Sequence, residues 1–321
     1  MIFLAADIGG SRARLLLGET RPGGWRELRR VVWNSPDFPD LESLLAAFLA
    51  PGEQPAAACL ALAGPVQGRQ VPMTNLPWVL DADALEARFQ IQELCCINDF
   101  EAQAHGLPLL AETDLHTLQP GQPDPHGPRL LIGAGTGLGM ALLAGPEHAP
   151  LILPSEAGHM DFAPRDEQQL ALLRHLQPRH GRVSLELLLS GHGLERLYGF
   201  LAGLPAGTLP APRAAPSISA AALAGEPQAA AAVDLFARLL AAAAGNLALA
   251  SLPRGGVYLS GGIAPRILPF LLQPAVRAAF TDKPPMRTLL EQLPLQVVLN
   301  EYLGLLGAAS VAARLTGEAR P

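Results

Sequence analysis

The pattern that most restricts this chain occurs twice. An apolar run at Ile2–Ala6 leads into the turn Asp7-Ile-Gly-Gly-Ser11 and then a second apolar run at Leu15–Leu17. About one small domain downstream, Arg129-Leu-Leu-Ile-Gly133-Ala-Gly135-Thr136-Gly137-Leu-Gly139-Met-Ala-Leu-Leu repeats strand, glycine turn and strand. Short apolar runs bounded by glycine read as buried strands. Two such runs joined by a tight turn read as a hairpin. Their recurrence predicts two related halves. A third glycine turn, Ser260-Gly261-Gly262, follows the apolar run Gly256–Leu259.

Between these landmarks strands and helices alternate, which predicts an α/β fold. Helix is expected near Asp40–Leu49, strand over Ala57–Ala63 up to Gly64-Pro65, and strand over Cys95–Ile97 up to Asn98-Asp99. The Ala/Leu segment Pro227–Ser251 puts Val233, Phe236, Leu240, Ala243 and Leu247 on one helical stripe. A last helix is expected at Gly304–Leu315, and residues 202–216, rich in Pro, Ala and Gly, read as a surface loop. With 321 residues, 49% hydrophobic and 16% charged, the chain has enough apolar material for a large core.

Charge and composition remove several classes of function. Lys+Arg 23 against Asp+Glu 29 gives a net charge of −6, the wrong sign for a nucleic-acid partner. The single lysine, Lys283, follows Asp282, so no G-x-x-x-x-G-K-[ST] loop can exist and a P-loop NTPase is excluded. Cys59, Cys95 and Cys96, odd in number and two of them adjacent, suggest buried thiols rather than a disulfide framework. The N-terminal run has no basic start and meets an acid at Asp7, unlike a signal peptide. Glycine clusters or prolines break the longest uncharged stretches, and 239–253 is short for a membrane span. A cytoplasmic protein with no membrane partner is expected.

Gly133–Gly139 is not a dinucleotide fingerprint: counted from Gly133 or Gly135, the sixth residue is Leu138 or Met140, so G-x-G-x-x-G fails. Glycine turns after strands nevertheless let backbone N–H groups approach phosphate oxygens without a lysine. Asn98-Asp99, at the carboxyl end of a strand, either caps the following helix or places a carboxylate where it can take the proton of an attacking hydroxyl. Glu156-Ala-Gly-His159 lacks a second His or a Cys at metal-ligand spacing. Glu186, in the apolar stretch Val183–Leu189, is an exposed helix position or part of a hydroxyl-reading cluster. Asn75-Leu-Pro-Trp78 is a turn with a packed indole, or a polar group and aromatic wall beside a sugar.

Taken in order, these motifs resemble the bacterial glucokinase family, the hexokinase-related type outside the repressor/kinase group called ROK. The resemblance is carried by Asp7-Ile-Gly-Gly-Ser-x-x-Arg14, Met73-Thr-Asn-x-x-Trp78, Ile97-Asn-Asp-Phe100, Gly133–Gly139, Glu156-x-Gly-His-x-Asp-Phe-Ala-Pro164, Val183-Ser-x-Glu186, Leu189-Ser-Gly191 and Gly261-Gly-Ile-x-Pro-Arg266. It implies an actin-like ATPase (ribonuclease H-like) fold with two α/β domains flanking a cleft. Residues 1–109, with a C-terminal helix in 300–321 returning to them, would form the small domain, and 110–299 the large one. The implied reaction is phosphoryl transfer from ATP, with Mg²⁺, to the 6-hydroxyl of glucose. Asp99 would be the general base, and Asn98, Glu156, His159, Glu186 and Asn75 would contact the sugar. Asp7 would sit near Mg²⁺; Gly9, Gly10, Ser11, Gly135, Thr136 and Gly137 would hold phosphates; Gly261 and Gly262 would lie towards the adenosine. A homodimer is implied as well.

Two departures stand out. Gly10-Ser11-Arg12 replaces the family's usual Gly-Gly-Thr-Asn, and Ser155-Glu156-Ala157 has a β-carbon where glycine is more usual. A ROK-type kinase of another hexose or N-acetylhexosamine would carry a zinc-binding cysteine cluster after the histidine, but Met160–Arg182 contains no cysteine. A non-catalytic sugar sensor would be expected to have lost Asp99.

Overall fold

The structure is a computed structural model that describes residues 1–64, 66–73, 76–145, 150–205 and 213–317. The chain divides into two compact units: Met1–Ala111 with Glu147–Ile152 and Tyr302–Pro321, and Glu112–Pro146 with Leu153–Glu301.

The first unit is built on strands β1 (Ile2–Ile8), β2 (Arg12–Arg21), β3 (Gly24–Asn34), β4 (Ala57–Leu62) and β7 (Glu93–Asn98), with a small ribbon of β5 (Gln70–Pro72) and β6 (Val79–Asp81). The main sheet runs β3-β2-β1-β4-β7. β1 pairs antiparallel with β2 and parallel with β4, and β4 pairs parallel with β7. Because Ile8 is level with Leu62 and Leu62 with Asn98, the three parallel strands end together. Open α/β sheets gather their ligand groups along such a carboxyl edge.

Helices α1 (Leu41–Phe48), α2 (Ala82–Phe89), α3 (Asp99–Gly106) and α11 (Leu303–Leu315) cover the sheet. Asp40 and Asp81 accept backbone N–H groups at the starts of α1 and α2, ordinary acidic N-caps. One side of the sheet packs on α1 through Leu4, Leu15, Leu44, Leu45 and Leu60. The other packs on α3 and α11 through Phe3, Cys59, Ala102, Leu305 and Ala309.

The second unit repeats the plan with β8 (Leu115–Gln119), β9 (Arg129–Ala134), β10 (Leu138–Ala144), β11 (Leu151–Ser155), β12 (Gly256–Ser260) and β13 (Leu295–Val298). Its order is β11-β10-β9-β12-β13-β8. The hairpin β9–β10 and the parallel pairs β9–β12 and β12–β13 match β1–β2, β1–β4 and β4–β7 in sense. Helices α4 (Glu167–His180), α5 (Gly191–Leu201), α6 (Ala215–Leu223), α7 (Pro227–Ser251), α8 (Leu268–Leu271), α9 (Pro274–Thr281) and α10 (Arg287–Glu291) complete it.

All five residues of the stripe read from the sequence of α7 are buried, and so are its neighbours on other faces, as befits a helix enclosed on most sides. By length and composition α7 could cross a membrane, but it is mostly buried in the core of its unit. At Gly245 a β-carbon would fall 2.4 Å from the Phe280 carbonyl oxygen, so glycine admits α9 close against it. The stretch read as a loop at 202–216 is corrected at its end, where Ala215 and Pro216 already belong to α6, since proline fits the first turn of a helix. Residues 206–212 of that stretch lie outside the described residues.

Where α3 meets α11, two glycines remove the space that side chains would need. A β-carbon on Gly106 would lie 2.3 Å from the Leu303 carbonyl oxygen, and one on Gly307 only 1.7 Å from that of Ala102. Gly307→Ala should therefore lower the unfolding free energy by about 1–3 kcal/mol or more, through overpacking of backbone that cannot yield. Gly199→Ala, which meets only the mobile end of Leu204 at 3.2 Å, should be neutral or slightly stabilising. Urea unfolding of the two variants checks the contrast.

Candidate active site

In the first unit the carboxyl edge of the sheet collects Asp7 and Asp99. Asp7 is the second-last residue of β1, with Arg14 directly opposite on β2, and the Arg14 guanidinium donates to its Oδ2 at 3.3 Å. The strand thus runs two residues past the sequence expectation, because Asp7 and Ile8 still pair with β2. Only Gly9, Gly10 and Ser11 form the turn. Its carbonyl at Gly9 accepts from the Ser35 hydroxyl at 2.7 Å, and the Ser35 N–H reaches the Ser11 carbonyl at 3.1 Å. Ser11 and Arg12 are exposed. Asp7 also faces the first turn of α11, where Gly304 leaves room: its β-carbon would stand 3.2 Å from Asp7 Oδ2. Burial pushes the Asp7 carboxyl above its usual range, against the pull of Arg14.

Asn98 and Asp99 divide between them the two readings the sequence left open. Asn98 is the cap: its Oδ1 accepts from the N–H groups of Phe100 and Glu101 at the start of α3, and its amide donates to the Gly64 carbonyl at 2.9 Å. Asp99, the first residue of the helix, is half-buried, and its Oδ1 accepts from the Phe100 N–H at 3.0 Å. Its carboxyl titrates at about 6, raised first by burial and then by the charge of Asp7, while the Phe100 N–H and Asn98 pull the other way. Asn75 lies outside the described residues.

In the second unit the corresponding edge carries Gly135, Thr136 and Gly137, joining β9 to β10, and Gly261-Gly262 after β12. The two glycine turns are adjacent. Gly261 adopts φ +84°, and a β-carbon there would lie 2.4 Å from the Ala134 carbonyl oxygen, so the position demands glycine twice over. Thr136 and Gly262 are exposed. Glu156 precedes and His159 ends the short helical turn Ala157–His159, both exposed, with His159 Nε2 3.9 Å from Glu156 Oε2. Ala157 does not disturb this turn; its methyl group is buried in the core. Glu186 is corrected from a helix position to a half-buried turn, and its Oε2 accepts from the Leu138 N–H at 2.9 Å. Among the described residues no three of His, Cys, Asp and Glu form a metal-holding group.

Sequence reasoning assigned no part to Arg14, although the turn length already places it opposite Asp7 in a hairpin. It also missed the attachment of Glu186 to Leu138, which has no local signal.

Two strand-edge carboxylates, one with its pKa raised to about 6, and glycine turns with little side chain around them are the parts a phosphoryl-transfer enzyme on the actin-like ATPase fold would use. The comparisons with known proteins agree. A family model described as Glucokinase matches residues 4–315. A glucokinase of Nostoc punctiforme is 39% identical over 98% of this chain and 99% of its own length. The crystal structure of a glucokinase from an Antarctic psychrotroph superposes with a TM-score of 0.84 at 33% identity, covering 98% of this chain and 99% of that one. A ROK family glucokinase from Streptomyces griseus, crystallised with glucose and AMPPNP, shares the fold at a TM-score of 0.65 and 20% identity, covering 98% and 100%. The chain belongs to the glucokinase family, whose members are ATP-dependent hexose kinases.

The Asp99 carboxyl titrates in the fold above its ordinary 3.8, so the fold holds that proton more tightly than the unfolded chain does. The stability this gives is complete below about pH 3.8 and is lost as pH rises through about 6. Asp99→Asn cannot acquire the buried charge, so its stability relative to wild type should rise between about pH 4 and about pH 8. Paired denaturation curves across that range check the sign.

Proposed function

We propose that this glucokinase-family enzyme transfers the γ-phosphoryl group of ATP to the 6-hydroxyl of glucose, giving glucose 6-phosphate and ADP, with Asp99 as the general base. The observation that carries the reading is a carboxyl at the head of α3 whose pKa of about 6 sits close to a working pH. A base poised there is mostly ionised at neutrality and still basic enough to take a hydroxyl proton. With Oδ1 engaged by the Phe100 N–H, Asp99 offers Oδ2 to the substrate.

Asn98, Glu156, His159, Glu186 and Asn75 are assigned to the sugar hydroxyls by the family resemblance. The exposed side chains of Glu156 and His159, on a turn anchored by buried Ala157 and Gly158, support that assignment. Phosphates are assigned to Gly9, Gly10, Ser11, Gly135, Thr136 and Gly137, and the adenosine side to Gly261 and Gly262. Support comes from the lack of obstructing side chains at turns that end strands. Mg²⁺ asks for only one or two carboxylates and completes its shell with water and phosphate oxygens. Asp7 fits that demand, because its charge next to Asp99 makes a pair that a cation would relieve. The ion would neutralise negative charge on the transferring phosphoryl group. The same resemblance extends the proposal to a cytoplasmic homodimer with working domains of 1–109 plus 300–321 and 110–299. The net charge of −6 speaks against a nucleic-acid partner.

A coupled assay for glucose 6-phosphate, with glucose, ATP and Mg²⁺, tests the reaction. Asp99→Asn should lower kcat by about 10²–10⁴-fold while glucose still binds. Wild-type kcat/KM should fall as pH drops below about 6, where the base becomes protonated. Near-wild-type turnover in Asp99→Asn would remove its role, and glucose binding with no turnover in wild type would make the protein a sensor.

A further inference from the structure

Three short segments of the second unit are laced together at the backbone. The glycine turn after β9 closes on itself through the Gly135 N–H and the Gly137 carbonyl at 2.8 Å, and the Gly191 N–H holds the Gly135 carbonyl at 2.8 Å. The turn that carries Glu156 and His159 leans directly on this loop: a β-carbon at Gly158 would fall 2.0 Å from the Leu138 carbonyl oxygen. The third segment, 183–191, is tied to the second by the Glu186 N–H on the Gly158 carbonyl at 2.9 Å. It is tied to the first by the Glu186 side chain, whose Oε2 accepts from the Leu138 N–H at 2.9 Å. Behind Glu186, the Ser190 hydroxyl donates to the Glu186 carbonyl at 2.9 Å and Arg196 Nη1 to the Leu187 carbonyl at 3.1 Å. The Glu186 carboxylate is therefore held by one amide, and the backbone that carries it is braced at two successive carbonyls.

Only one of its oxygens is used. Among the described residues Oε1 takes no hydrogen bond, while Oε2 satisfies the N–H of a residue that is just 6% exposed. The geometry points to Glu186 as a positioning residue for both substrates: Oε2 shapes the glycine turn that receives nucleotide phosphate, and Oε1 accepts a hexose hydroxyl. This rests on the assignments of the glycine turn to phosphate and of Glu186 to sugar made above. Without the carboxylate the Leu138 N–H would lose its acceptor in a buried position, and the turn would have to move or admit water. A residue that only reads sugar would leave nucleotide binding alone; a residue that shapes the turn acts on nucleotide even when no sugar is present.

The test is calorimetric titration of Mg·ADP without sugar, and of glucose without nucleotide, into wild type, Glu186→Ala and Glu186→Gln. Glu186→Ala should weaken Mg·ADP by about three- to tenfold, the size of one hydrogen bond to a buried donor, and should weaken glucose as well. Glu186→Gln keeps an oxygen for the Leu138 N–H but sets an amide towards the sugar. It should bring Mg·ADP back to within about twofold of wild type and leave glucose weakened. Unchanged Mg·ADP binding in Glu186→Ala, in an enzyme that phosphorylates glucose, overturns the dual role and leaves the function standing. Equal loss of Mg·ADP in both variants also overturns it. Wild type that neither binds nor phosphorylates glucose overturns the function and this inference together.

Discussion

Ala102 and Gly307 meet so closely that no side chain fits between them, and that contact fixes how α3 and α11 cross on the sheet of the first unit. α3 carries Asp99 at its head, and α11 carries Gly304 in its first turn against Asp7. The crossing of these two helices over one face of the sheet fixes how α3 and α11 fit together, while the level ends of β1, β4 and β7 bring the two carboxylates to one edge. Apolar area holds the helices to the sheet through Phe3, Ala5 and Cys59, but apolar burial is indifferent to a shift of an ångström. Steric exclusion at the glycines is what selects one crossing.

The second unit solves the same problem of strand-edge placement with different contacts. Its hairpin and parallel strands repeat those of the first, and again a glycine turn follows the leading strand. In the first unit that turn is braced by a serine hydroxyl on the Gly9 carbonyl. In the second it is braced by the amide of Gly191 and the carboxylate of Glu186. A shared backbone plan with unshared side-chain supports lets the turn geometry persist in both units while the side chains around it differ.

Much of this was legible because it is local. A strand that ends in Asn98-Asp99, a turn of glycines between apolar runs and a helix with a small-residue stripe each declare themselves within a dozen residues. Even so, residue type alone could not say which of Asn98 and Asp99 caps the helix; that depends on which side chain points back along the axis. β3 escaped notice because charged residues, among them Arg26, Glu27 and Arg30, stand exposed along it, as an edge strand permits, and blur its alternation. The hydrogen bond between Leu138 and Glu186 joins residues 48 apart, and no propensity or period encodes such a pairing.

The charge balance at the first carboxyl edge follows from those placements. Arg14 is opposite Asp7 because the hairpin turn has its length, and its guanidinium favours the ionised Asp7 that burial disfavours. An ionised Asp7 in turn raises the pKa of Asp99, to which burial has already added the larger part. The basicity of Asp99 thus rests first on its burial and then on Asp7, whose own charge is favoured by Arg14 on β2. Lysine in place of Arg14 would not be equivalent, because a compact ammonium is more strongly hydrated and would give up more on leaving water to sit beside a half-buried acid. The arginine is the cation suited to this partly dehydrated position, where it acts directly on Asp7 against the effect of burial.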